Sequence, residues 1–392
     1  MNAYEVPLPV DDLERLRRRR SLKWRSHPRD VLPLPVAEMD FALAPPVRDV
    51  LAQAVERSDT GYSFAGTELA QALVGFAAER WSWSIDPSAV VPVPDVGVGC
   101  VELLRLIGAA GDAVVINPPV YAPFPRWIAE TGRRVVEVPL LHDPAACDVA
   151  TGGWRLDLEA LAAAFAAGAR TYLLCSPHNP VGRVHSPGEL AAVVRLAHDH
   201  GVTVIADEIH APLVMPGSDL TPFLTVPGAA EIGVSVVSAS KAFNLAGLKC
   251  AQLVTGSEPM RELAAGVPGD VAARVGHLGV LASIAAYADG GAWLDALLST
   301  LALRHDLLGH LLAERLPQVL RQQPQATYLA WLDCRAIGAG SVPYELFLQH
   351  GRVAVEAGPV FGAQGSGWVR FNVATSESIL DEGVARMAAA LA

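Results

Sequence analysis

From about residue 90 the chain alternates between two kinds of apolar stretch. Short runs dense in Val, Ile and Leu recur as AVVINPP (113–119), RRVVEVPL (133–140), ARTYLLCSP (169–177), VTVIADEI (202–209), GVSVVSAS (233–240) and AQLVTG (251–256). Runs of this length and β-branched content predict strands. Their apolar positions do not alternate with polar ones, so they predict a sheet buried on both faces. Between them lie alanine- and leucine-rich stretches such as LEALAAAFAAG (158–168) and GELAAVVRLAHDHG (188–201), which read as helices. Strands alternating with helices predict an α/β fold of parallel strands and crossover helices.

After about residue 285 the pattern changes. WLDALLSTLALRHDLLGHLLAERL (293–316) predicts one long helix, and YLAWLDC (328–334), RVAVEA (352–357) and WVRFNVAT (368–375) predict an antiparallel group of strands. The division expected is a large domain over 46–285 and a smaller α+β domain built from 1–45 and 286–392. No repeat of the solenoid kind is present.

The 392 residues are 51% hydrophobic and 18% charged, with a formal net charge of −11. That balance argues against a nucleic-acid partner held by phosphate neutralisation. The one basic cluster, RLRRRRSLKWR (15–25), could touch phosphate or a membrane surface; the plainer expectation is a helix end that meets acidic neighbours. No stretch has the length of a membrane span and the first 30 residues lack the apolar core of a signal peptide, so no membrane partner and a cytoplasmic location are expected. Five cysteines, Cys100, Cys147, Cys175, Cys250 and Cys334, form no CxxC pair and fit a reducing compartment. His198 with His200, and the DEIH run at 207–210, lack a second matching cluster, so no metal is expected.

In an open α/β sheet, ligands sit beyond the carboxyl ends of the strands, and here those ends carry chemistry. TYLLC leads into SPHNPVG, TVIA into DEIH, AVVI into NPPVY, and SVVSAS into Lys241. The lysine stands out because the chain holds only Lys23, Lys241 and Lys249 beside 27 arginines. Arginine stays protonated and cannot serve as an amine nucleophile, whereas lysine can. Pyridoxal 5'-phosphate needs such an amine, a carboxylate for its ring nitrogen, a donor for its 3-oxygen, an aromatic plate, and cations and N–H groups for its phosphate. Lys241, Asp207, Asn179 with His210 nearby, and Tyr121 supply the first four in order. Ser238, Lys249 and the amides of Val98, Gly99 and Cys100, where GVGCVELLRLIG opens a helix, would meet the phosphate. Taken singly, Asp207 could cap a helix, Asn179 could be a turn residue and Tyr121 could be core. GVG followed by CVE lacks the third glycine of a dinucleotide fingerprint, which weakens a nicotinamide reading.

The motifs SPHNPVG, ADEIH and SASKAFNLAGLK resemble those of a fold-type I pyridoxal-phosphate enzyme of the class I/II aminotransferase family. With VAEMDF (36–41), SDTGYSFAG (58–66) and GWVRFNVAT (367–375), they are similar to its MalY/PatB branch, the cystathionine β-lyase or cysteine-S-conjugate β-lyase group. The resemblance runs nearly end to end. It implies a mostly parallel seven-stranded sheet and a homodimer with shared active sites, Tyr62 reaching the cofactor phosphate of the neighbouring subunit. It also implies Arg370 as the fork for the substrate α-carboxylate, with Ala37 and Asn179 beside the substrate. Lys241, Tyr121 and Asp207 become the catalytic candidates. The activity implied is carbon–sulfur β-elimination. A transaminating, decarboxylating or oxidatively deaminating relative, or a regulatory protein keeping the fold without turnover, are the alternatives. DVGVGCVE departs from the branch's usual phosphate loop, which leaves substrate choice open.

Overall fold

The computed structural model describes residues 7–64, 66–143, 153–338 and 342–391. All six predicted runs are strands of one seven-stranded sheet: β2 Ala113–Ile116, β3 Arg134–Glu137, β4 Thr171–Cys175, β5 Thr203–Asp207, β6 Gly233–Val237 and β7 Ala251–Thr255. The seventh, β1 Val90–Val93, was not read from the sequence. It carries Pro92, which cannot donate to a ladder, and accordingly lies at the edge in the order β1-β7-β6-β5-β4-β2-β3. Every residue of β2, β4, β6 and β7 is buried. Burial on both faces therefore holds for the centre of the sheet, while β3 at the other edge is partly open to solvent.

One expectation is corrected. β7 runs antiparallel to both β6 and β1, whereas β2 to β6 are mutually parallel. The cause lies in residues 238–250, which contain a single short 3-10 turn, Ala246–Leu248, and no crossover helix. A parallel partner needs a crossover back to the far end of the sheet. Without one, β7 starts at the end where β6 stops, and Lys241 stays in the loop between them.

The long helix spans Gly291–Arg315 and packs on the last helix, Glu377–Ala389. Beside them a four-stranded antiparallel sheet runs β8-β9-β12-β11, with β8 Leu320–Arg321, β9 Leu329–Asp333, β11 Glu356–Ala357 and β12 Trp368–Asn372. RVAVEA is split between two sheets: β10, Val353–Ala354, pairs in parallel with Leu32–Pro33 of the N-terminal segment, and only β11 joins β12. One apolar cluster takes in Leu32 and Leu34, Leu301 of the long helix, Phe371 of β12 and Tyr172 of β4, so both sheets share a core.

The N-terminal basic run turns towards its own chain. Arg17 meets Glu14 at 2.8 Å, Arg19 donates to the carbonyls of Met39 and Asp40, and Lys23 pairs with Asp40 at 2.7 Å with both side chains fully buried. His198 Nε2 lies 2.8 Å from the Gly228 carbonyl. Cys100, Cys175, Cys250 and Cys334 are free and buried; Cys147, and Ala65 of the SDTGYSFAG motif, lie outside the described residues. No helix among the described residues is long and apolar enough to cross a membrane.

Candidate active site

The carboxyl ends of β4, β5 and β6 lie side by side, with Cys175 in register with Asp207 and Asp207 with Val236. Asp207 closes β5 and is 3% exposed. Its Oδ1 accepts the Ile209 N–H at 3.1 Å, and no cation forms an ion pair with it among the described residues. Burial pushes its carboxyl up to about 7, against the pull of the Ile209 N–H and of Lys241. Lys241 is half-buried, and its Nζ donates to the Ala37 carbonyl at 3.1 Å. Burial, then Arg370, brings this amine down to about 8, while Glu38 and Asp207 pull it back.

His210 is buried, and its Nδ1 has no partner among the described residues. Burial, then Lys241 and Arg370, lowers it to about 3, so the imidazole is neutral near neutral pH. Tyr121 stands edge-on to Phe124 and Trp127, with its phenol raised by burial and by Asp207. Arg370 comes from β12 in the other sheet and is buried. Its Nη1 donates to Asn179 Oδ1 at 3.1 Å and its Nη2 to the Pro35 carbonyl at 3.0 Å, with the guanidinium 4.8 Å from the Phe361 ring centroid. Glu356, its cross-strand neighbour, lies 3.7 Å away, and Arg370 Nε is left without a partner among the described residues. The structure thus brings Lys241, Asp207, Asn179, His210, Tyr121, Arg370 and Ala37 close together at the carboxyl end of the sheet.

The phosphate candidates sit at the edge of that group with their bonds engaged elsewhere. Ser238 Oγ donates to the Cys250 carbonyl at 2.7 Å and accepts the Ser240 N–H. Lys249 is exposed and meets Asp95 Oδ2 at 3.0 Å. The helix runs Val96–Leu106, so it opens before the expected point. Asp95 caps it by accepting the Val98 N–H at 2.8 Å, and Gly99 N–H is already bonded to the Asp95 carbonyl. Of the four N–H groups at this end without an intrahelical carbonyl, that of Val98 is met by the Asp95 side chain, which leaves those of Asp95, Val96 and Gly97. Gly99 serves packing: a Cβ there would lie 3.0–3.2 Å from side chains of Leu253, Val236 and Val93. Tyr62 is 97% exposed, as is Phe64 at 89%.

A family model described as Aminotransferase class I and II matches residues 29–387. The chain belongs to the class I and II aminotransferase family. Within it, a protein of Mycobacterium tuberculosis (strain ATCC 25618 / H37Rv) named "Putative cystathionine beta-lyase" is 46% identical over 415 residues, covering 98% of this chain and 99% of that protein. "Cystathionine beta-lyase PatB" of Bacillus subtilis (strain 168) is 32% identical over 366 residues, covering 92% and 93%. A solved structure from Corynebacterium diphtheriae, described as a "putative plp-dependent beta-cystathionase", superposes with a TM-score of 0.91 at 36% identity, covering 98% of this chain and 99% of that one. The likeness fits the MalY/PatB branch of the family.

The sequence points to VAEMDF and Ala37, but not to the side chains that hold this strap, Pro35–Met39, in place. Tyr328 OH donates to the Ala37 carbonyl at 2.9 Å, and Asn372 Nδ2 donates to the carbonyls of Val36 and Glu38, both at 2.7 Å. Tyr328 lies 291 residues from Ala37, and nothing local in YLAWLDC marks it. Asn244 stands inside the motif SASKAFNLAGLK, where the sequence alone gives it no role.

Proposed function

We propose that this chain is a pyridoxal-phosphate-dependent carbon–sulfur β-lyase that splits cystathionine or another L-cysteine S-conjugate into a thiol, pyruvate and ammonia. The observation that carries the reading is the Lys241 amine, brought down to about 8, set close to a buried carboxyl that lacks an ion-pair partner among the described residues and to a buried arginine with an unused N–H. The cofactor fits that donor set. A pyridinium nitrogen is the kind of cation that would return Asp207 to its ionised form, and an oxygen of the cofactor suits Asn179 and the neutral His210. When bound, pyridoxal phosphate supplies an aldehyde for an amine and a conjugated ring that takes up charge from the substrate Cα.

The remaining roles belong to the chain. Two of the five N–H groups of Arg370 are bonded to Asn179 and Pro35, which fix the fork and leave donors for an α-carboxylate. Lys241 carries a usable neutral fraction near neutral pH and takes the Cα proton. The Cβ–S bond then breaks, sulfur leaves with the bonding pair and gains a proton, and the three-carbon fragment hydrolyses to pyruvate and ammonia. Val96 and Gly97 N–H groups, with Lys249 and Ser238, suit a phosphate once Asp95 and Cys250 release the side chains. Tyr62 and Phe64 expose two aromatic rings on one loop, which supports a homodimer in which Tyr62 reaches the neighbouring site.

The test is a panel of S-substituted cysteines given to the loaded enzyme, with thiol, pyruvate, ammonia and carbon dioxide measured together. Thiol and pyruvate in equal amounts are expected, and Lys241→Ala should lose ~10²–10⁴-fold or more of the rate. Keto acid without thiol, or carbon dioxide release, would replace β-elimination with transamination or decarboxylation.

A further inference from the structure

Asn244 stands three residues after Lys241, in the left-handed region at φ +60°. From there its amide closes a two-point bond on one residue of the strap: Oδ1 accepts the Met39 N–H at 2.9 Å and Nδ2 donates to the Met39 carbonyl at 3.0 Å. Two residues earlier, the Ala37 carbonyl accepts both Lys241 Nζ and Tyr328 OH. Lys241, Asn244, Met39 and Ala37 therefore form a closed ring of backbone and hydrogen bonds. A left-handed backbone strains most side chains, and asparagine tolerates it better than most. The position also aims the amide at the strap.

We propose that Asn244 is a positioning residue: by clamping the Met39 backbone to the lysine loop, it fixes where the Ala37 carbonyl meets the Lys241 amine and so governs that amine's hold on its proton. A carbonyl that accepts from an ammonium favours the charged form, so loosening the strap makes the proton easier to lose. Lys241 also faces Arg370 from β12, Glu38 from the strap, Asp207 and His210 from the end of β5, and Lys249 from its own loop. None of these charges is altered by an uncharged replacement at 244. The inference rests on the reading of Lys241 as the working amine, yet its first test needs neither substrate nor cofactor.

Having only three lysines makes the measurement clean. Cofactor-free protein is reductively methylated over a pH series, and the peptides carrying Lys23, Lys241 and Lys249 are resolved by mass. Asn244→Gly keeps the left-handed backbone while removing both bonds. Its Lys241 midpoint should fall by about one pH unit, while exposed Lys249 keeps its own. In the loaded enzyme, kcat should fall more than KM changes, and the acid limb of the pH profile should move the same way. An unchanged Lys241 midpoint overturns the proposal. If Asn244→Gly does not fold, Asn244→Ser serves: its shorter side chain cannot make both bonds to Met39, and an unchanged midpoint overturns the proposal equally. A shifted midpoint in a protein that releases no thiol would sink the lyase reading and leave this one standing.

Discussion

Asp207 holds its carboxyl where ionisation is costly until a cation arrives. Its folded value of about 7 stands above the ordinary 3.8, so the unfolded chain ionises first as pH rises. The stability tied to this group is full below the ordinary value and is lost as pH climbs through about 7. Cofactor-free wild type should therefore lose ground to Asp207→Asn between acid and neutral pH, by at most on the order of 4 kcal/mol. Glu208, buried beside it and also raised to about 7, chiefly by burial, feels the Asp207 charge as well, so removing that charge widens the gap in the same direction. Comparing melting temperatures of the two cofactor-free proteins at acid and mildly alkaline pH checks this; a gap that does not widen with pH would show that the carboxyl already has a partner. Cofactor should stabilise wild type more strongly than the variant.

At the scale of elements, the strap Pro35–Met39 is bonded both to the smaller sheet and to the lysine loop of the larger one. Asn372 of β12 holds it on one side and Asn244 of the lysine loop on the other. Behind it, Asp40 is locked by Lys23 at 2.7 Å and by Trp24 Nε1 at 3.0 Å. A buried pair of this kind adds little over an apolar replacement, but breaking one side leaves a bare charge in the core. Lys23→Met should cost ~3–5 kcal/mol, and adding Asp40→Leu should recover much of it. Urea midpoints of the single and double variants decide the point. Equal loss in both would mean that shape rather than charge holds the strap.

For the whole molecule, the exposed loop of Tyr62 and Phe64 is the feature the single chain leaves unfinished. If Tyr62 serves the neighbouring site, a Lys241→Ala chain and a Tyr62→Ala chain each damage a different half of the same site. Mixed dimers would then carry one intact site each. Refolding the two variants together should restore activity towards about a quarter of wild type, above either variant alone. No gain on mixing, with a monomer in sedimentation, would remove the shared site and leave Tyr62 as a surface residue.

The sequence by itself determined the layers and the residue types of the site. Apolar runs of strand length specify a buried sheet wherever they stand, and Lys241, Asp207 and Asn179 follow such runs directly, so their convergence could be read from local order. Arg370 was read by resemblance, because its partners Asn179 and Pro35 are 191 and 335 residues away. Only the tertiary structure decided the direction of β7, the splitting of RVAVEA between two sheets, and the bonding of Lys241 to a backbone carbonyl of the strap. These depend on how chain ends meet in space and on carbonyl groups that every residue carries alike, and neither leaves a mark in the order of side chains.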